Sequence, residues 1–284
     1  MSIRIGNQTS CNVAAELPFE FAVNHGFDAF EWFSDPGQIG WNEDNMSAAE
    51  RARVRTLARE HDIRFSVHAP WSANPTTSEG FGEIKKSILF AEEIGAALVN
   101  LHLFPEHAAD YYVNALMPLI ELAERAGVLL SLENTRQTAP EDVNEVFELL
   151  RRLPQSATRT GLCLDMGHAN LFEETRGDYV AYVDRLAVHV PIIHWHAHEN
   201  WGDRDNHLPL FTGAAAQDDS AVRNLIKRLQ GRGFAGSVVM EQWPQPPETL
   251  ISTRNRLLEL WQECGQFIQF SETEKRSKRR VHER

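Results

Sequence analysis

Short apolar, β-branched runs alternate with amphipathic stretches along nearly the whole chain. This is the pattern of repeated βα units, in which parallel strands are covered by the helices between them. The runs predict strands at Ile3–Gly6, Ala29–Phe33, Arg64–His68, Leu98–Leu103, Val128–Glu133, Gly161–Asp165, Ile192–Ala197 and Ser237–Glu241. The amphipathic stretches predict helices at Ala48–His61, Phe81–Ile94, Tyr111–Ala126, Glu141–Leu153, Tyr179–Val188, Ala221–Gln230 and Pro247–Cys264. Gly95, Gly127, Gly231 and Gly265 stand where left-handed C-terminal caps are expected, and Pro140 and Pro247 suit a first helical turn. Eight strands, each followed by a helix, predict an α/β fold closed as a single (β/α)8 barrel over residues 1–270. An open doubly wound sheet is the alternative. Its glycine-rich phosphate turn is missing from Gly6-Asn7-Gln8-Thr9-Ser10 after the first strand.

In such a barrel, chemistry gathers at the carboxyl ends of the strands. From the third strand onward, each apolar run stops at a histidine or a carboxylate. These are His68, His102, Glu133, Asp165 with His168, the series His194-Trp195-His196-Ala197-His198, and Glu241. The loop after strand seven adds Asp205 and His207. Neutral imidazole and carboxylate are the ligand set of zinc, manganese and similar divalent ions. A single such residue is ordinarily a cap or a hydrogen-bonded buried group. Six consecutive strands delivering one each point to a cation, because burying several carboxylates together without one is costly. Asp165 and His168 are spaced to share one cavity at a strand-to-helix turn, and Asp205 and His207 to face one side of an extended segment. Alternation puts His194, His196 and His198 on one face without choosing among them. His25, His61, His107 and His189 fall on helical or surface stretches.

Composition narrows the partners. With 42% hydrophobic and 24% charged residues, the chain can bury a sizeable core. No apolar run reaches the ~20 residues of a membrane span. The opening Met1-Ser2-Ile3-Arg4-Ile5-Gly6 lacks a signal-like block, and three scattered cysteines suit a reducing compartment, so the cytoplasm is expected. The net charge is −12, and the last eleven residues carry six Lys/Arg against two Glu, leaving a body of 22 basic and 38 acidic side chains, or −16. An acidic body disfavours nucleic acid. The stretch 35–41 (Asp-Pro-Gly-Gln-Ile-Gly-Trp) is likewise too acidic to hold a duplex. Residues 271–284 read as a basic, disordered C-terminal tail.

The motifs Leu132-Glu133-Asn134-Thr135, Asp165-Met166-Gly167-His168, Asp205-Asn206-His207-Leu208-Pro209-Leu210 and Met240-Glu241 resemble the xylose isomerase-like TIM barrel superfamily, which includes the endonuclease IV type. The resemblance runs from about Ile3 to Trp243. In the sugar isomerases and epimerases of that group, one divalent ion is held by Glu, Asp, His and Glu. The resemblance therefore implies Glu133, Asp165, His196 and Glu241, and it alone selects His196 from its neighbours. It implies zinc or manganese first, with magnesium, cobalt or iron also admitted. The implied reaction isomerises or epimerises a small sugar, sugar phosphate or related polyol through an enediolate, with Glu133 and Glu241 as acid and base. His168 would join them at the reacting centre, and His68 and His102 would hold hydroxyls. Trp71, Trp201 and Trp243 would wall the pocket, and Arg136 and Arg204 would hold a phosphate or carboxylate. The partner is then a small carbohydrate, and an assembly of identical chains is compatible with this reading.

Two alternatives use the same residues. Endonuclease IV-like members bind three zinc ions through a longer set, matched here by His68, His102, Glu133, Asp165, His168, His196, Asp205, His207 and Glu241, which would make the chain a phosphoester hydrolase. A metal-dependent dehydratase would share the enediolate. The chain departs from the family's loop pattern at Phe211-Thr212-Gly213, where a Gly-Glu-Gly-like turn is expected.

Overall fold

The computed structural model describes residues 3–34, 41–153 and 159–282, with side chains through residue 265. Eight parallel strands close into a barrel in sequence order: β1 (Arg4–Gln8), β2 (Ala29–Phe33), β3 (Arg64–His68), β4 (Leu98–His102), β5 (Leu129–Glu133), β6 (Thr160–Asp165), β7 (Ile192–His196) and β8 (Ser237–Met240), with β8 returning to β1. The (β/α)8 barrel read from the sequence is the fold. The helices are α1 (Glu16–Asn24), α2 (Ala48–Glu60), α3 (Ser78–Ile94), α4 (Ala109–Ala126), α5 (Pro140–Leu150), α6 (Met166–Leu171), α7 (Tyr179–Arg185), α8 (Ser220–Gly231) and α9 (Thr249–His282). Among the described residues, no helix is long and apolar enough to cross a membrane.

Local chemistry sets the helix ends. Ser47 and Glu50 form a reciprocal capping box on α2, Thr77 caps α3, and Pro140 opens α5. Gly95 and Gly127 take the left-handed conformation as expected (φ 74° and 73°). Gly231 does not, because α8 runs through it and the chain reverses at Gly233 (φ 75°). Gly265 lies within α9, whose backbone stays helical through His282. Pro247 falls in the turn that leads into α9. Two helices escaped the sequence pattern. α1 is short, and α6 has only six residues and grows from the Asp165 cap.

Strand alternation divides the core in two. Outward residues such as Phe30, Trp32 and Phe65 pack with Phe19, their ring centroids 5.0–6.4 Å apart. Inward residues are polar, and the register stacks them. Glu31 lies beside Ser66, Asn100 beside Ser131, Cys163 beside His194, and Asp165 beside His196. A barrel floor built of polar side chains requires partners for each of them.

Candidate metal centre

At the carboxyl end of the barrel, ligand atoms of Glu133 (β5), Asp165 (β6), His196 (β7) and Glu241, one residue past β8, all lie within 4.8 Å of one another. All four side chains are buried. His196 Nδ1 faces the three carboxylates, 3.0 Å from Glu241 Oε1, 3.2 Å from Glu133 Oε2 and 3.9 Å from Asp165 Oδ2. Neither ring nitrogen of His196 finds a well-directed hydrogen bond, and Glu133 Oε1 and Glu241 Oε2 are also left without one. Buried polar atoms are ordinarily satisfied, so the unbonded His196 Nδ1, Glu133 Oε1 and Glu241 Oε2, on three converging side chains, fit a divalent cation.

Other candidate residues form an apron around this tetrad. His68 Nε2 lies 3.1 Å from Glu133 Oε2, His102 Nε2 3.4 Å from Glu133 Oε1, and His168 Nδ1 3.2 Å from Glu133 Oε1. Glu133 is itself positioned from below, where Ser131 Oγ donates to Asn100 Oδ1 (2.7 Å) and Asn100 Nδ2 donates to Glu133 Oε2. Asp165 caps α6, accepting from the His168 amide at 2.6 Å, which brings both residues into one cavity as their spacing predicts. Asn134 fixes the Asp165 backbone through a reciprocal amide pair, both bonds 2.9 Å. Asp205 and His207 also meet, Oδ2 to Nε2 at 3.1 Å, but not along an extended segment, because His207 is left-handed (φ 45°). His198 closes the ring of side chains. It is fully buried, lies 3.1 Å from each Asp165 oxygen, and stacks on His207 with centroids 4.1 Å apart.

Electrostatics follow from this packing. Burial alone would raise the carboxyls of Glu133, Asp165 and Asp205. His196 and His102 reverse that at Glu133, and His168 and His198 at Asp165, so both stay well below the usual carboxylate range. Hydrogen bonds from His168 and His207 do the same for Asp205. The imidazoles respond in kind. Burial would lower His207, but Asp205 and Glu241 bring it up to about 9. Burial is likewise overcome at His168 by Asp165, Asp205 and Glu133, and at His196 by Cys163 with Glu241, Glu133 and Glu31, which raise both rings well above the ordinary value. A divalent ion would compete with protons for the same imidazole nitrogens.

A cavity of about 430 Å³ opens above the centre. His68, His102, Glu133, His168, Asp205, His207 and Glu241 reach its wall together with Trp71, Arg136, Gln8 and Phe33. Trp71 is 57% exposed, and Arg136 makes no ion pair among the described residues. Trp201, Arg204 and Trp243 are not on the cavity wall. Trp243 packs edge-on against Phe21 at 5.4 Å, and Trp201 is 59% exposed. In the loop that follows β7, Glu199 accepts from the Gly213 and Ala215 amides at 3.1 and 2.8 Å and ties Phe211-Thr212-Gly213 to the barrel end. The acidic stretch 35–41 lies outside the described residues except for Trp41. Sequence reading passed over one buried acid, Glu31 in β2, which pairs with His194. An acidic residue inside an otherwise apolar strand was the available signal.

Known proteins share this fold. An uncharacterized protein of Methanocaldococcus jannaschii is 25% identical over 245 residues, 78% of this chain and 77% of that protein. A solved structure described as a D-tagatose 3-epimerase-like protein covers 94% of this chain and 100% of its own at a TM-score of 0.73 and 22% identity. A protein from Thermus thermophilus, crystallised and soaked with zinc chloride, covers 89% and 99% at a TM-score of 0.63 and 21% identity. The family model for the xylose isomerase-like TIM barrel matches residues 19–260, and the chain belongs to that family.

Proposed function

We propose that the chain is a metal-dependent isomerase or epimerase of a small sugar, sugar phosphate or related polyol. The observation that carries this reading is that Glu133 and Glu241 come from non-adjacent strands, β5 and the end of β8, into one tetrad and both reach the cavity wall. Glu133, Asp165, His196 and Glu241 would hold a divalent ion, zinc or manganese by donor chemistry, with magnesium, cobalt or iron also admissible. Such an ion supplies Lewis-acid stabilisation of the negative charge that develops when a proton leaves the carbon beside a carbonyl. Glu133 and Glu241 are the proton-carrying groups, one removing the proton and the other returning it. His68, His102 and His168 present ring nitrogens at the cavity wall for substrate hydroxyls, with His168 3.2 Å from Glu133 and 3.4 Å from Asp165. Trp71 gives a sugar ring an apolar face, and Arg136 offers a cation to a phosphate or carboxylate. The epimerase-like solved structure supports this reading.

The test is incubation of metal-supplemented protein with ketoses, aldoses and their phosphates in D2O. Deuterium entering beside the carbonyl, followed by NMR, is the expected result. Metal-dependent cleavage of a phosphodiester with no such exchange would contradict it. That second reading has its own observation. His68, His102 and Glu133 form one further ligand cluster and His198, Asp205 and His207 another, so the apron has the donors for additional ions.

A further inference from the structure

We propose that Glu31 is a positioning residue of the metal centre, which fixes the ligand His196 from beneath and is itself locked by His194. The inference rests on the reading of His196 as a metal ligand.

Glu31 sits on β2, before the run of strands that supply the other site residues, and is 0% exposed. A buried carboxylate needs strong partners, and no Lys or Arg reaches this one among the described residues. Its partners are two imidazoles. Oε2 is hydrogen-bonded to His194 Nε2 at 2.9 Å. Oε1 lies 2.9 Å from His196 Nε2, an oblique contact that leaves both atoms without a fully directed bond. The opposite edge of His196 presents Nδ1 to Glu133, Asp165 and Glu241.

A neutral imidazole carries one ring proton and one ring lone pair. If the proton were on Nδ1, the Nε2 lone pair would face the Glu31 carboxylate and His196 would offer no lone pair to a cation at the tetrad. With the proton on Nε2, it is shared with Glu31 and the Nδ1 lone pair faces the three carboxylates. Carboxylate–histidine–metal arrangements of this kind orient the ring and raise its basicity. His194 and His196, which share one face of β7, thus divide the work. His196 is the ligand, and His194 holds the residue that orients it.

The experiment compares wild type, Glu31→Gln, His194→Gln and His196→Ala in competition with a chelator for Zn2+, alongside 15N-histidine NMR of the zinc-loaded proteins. Glu31→Gln keeps the shape and removes the charge, so Zn2+ should bind roughly 10–100-fold more weakly at an unchanged limiting ratio. His194→Gln should weaken binding less. In zinc-loaded wild type, His196 should carry its proton on Nε2 with a downfield resonance that moves upfield in Glu31→Gln. A merely structural role for Glu31 would not move it. Zn2+ affinity of Glu31→Gln within twofold of wild type, with His196→Ala greatly weakened, would overturn this inference and leave the metal centre standing. Undiminished binding by His196→Ala would remove the metal reading and this inference with it. Should Glu31→Gln not fold, the wild-type spectrum still decides, since zinc on Nε2 with the proton on Nδ1 overturns the proposal.

Discussion

Gly167→Ala offers a sharp test of the packing around the centre, because the usual expectation for that substitution is reversed there. Alanine is normally preferred to glycine in a helix by up to ~1 kcal/mol. A Cβ on Gly167, however, would fall 2.0 Å from His198 Cε1 and 2.5 Å from both ring nitrogens. That ring cannot swing away, because it is fully buried, held by both oxygens of Asp165 at 3.1 Å, and stacked on His207. Overpacking of a rigid site costs about 1–3 kcal/mol, and with three atoms overlapped the upper end applies. Subtracting the helix gain leaves a net loss of ~2 kcal/mol, or roughly 4–8 °C in Tm at ~2–4 °C per kcal/mol for a large domain. Gly82→Ala in α3 is the control, since nothing lies within 4 Å of its new Cβ, and it should leave Tm unchanged or raise it. Calorimetry on both variants, with Zn2+ affinity measured in parallel, checks the pair. Displacing His198 should disturb Asp165 and lower affinity in Gly167→Ala alone. A Gly167→Ala protein as stable as wild type would refute the claim that His198 is rigidly held.

Further expectations follow from the ligand assignments. The Asp165→Ala, Glu241→Gln double variant should lose most bound divalent metal by elemental analysis, and full metal content would sink the tetrad. His68→Ala and His102→Ala should impair sugar turnover while leaving one metal per chain. A falling metal-to-protein ratio would mark those histidines as ligands of further ions and favour hydrolysis. Binding to abasic duplex DNA should be weak at physiological salt and fade as salt rises, because the body is acidic. Specific incision that survives removal of Glu274–Arg284 would favour the endonuclease reading.

Much of this was legible in the sequence for one physical reason. A parallel barrel strand is buried on both faces, so its run is mostly apolar and the histidine or carboxylate that ends it stands out. That is why all eight strands, and His68, His102, Glu133, Asp165 and Glu241, could be placed by reading where each run stops. The same logic hid Glu31, whose charge sits inside β2 and is compensated by His194 and His196 from across the barrel. Such a pairing spans 163 residues, so β2 shows the acid but not the partner that compensates it. The choice among His194, His196 and His198 was closed to pattern reading for the same reason, since alternation gives all three one face and only the closed barrel separates them. Trp201 and Trp243 show the opposite failure. Each follows a strand end closely, yet the loop paths carry one toward solvent and the other onto Phe21. Gly231 and Gly233 differ by two positions, and a helix end is set by its last hydrogen bonds more than by the nearest glycine.

The central claim is that one divalent metal ion sits among Glu133, Asp165, His196 and Glu241. The most direct measurement is anomalous scattering from crystals of the metal-loaded wild-type protein, collected across the absorption edges of zinc and manganese. A single peak bonded to those four side chains, with His196 ligating through Nδ1, is expected. No peak within bonding distance of the tetrad would contradict the claim. Three peaks with His68 and His102 at about 2.0–2.1 Å would replace the one-metal sugar chemistry with a multinuclear hydrolase.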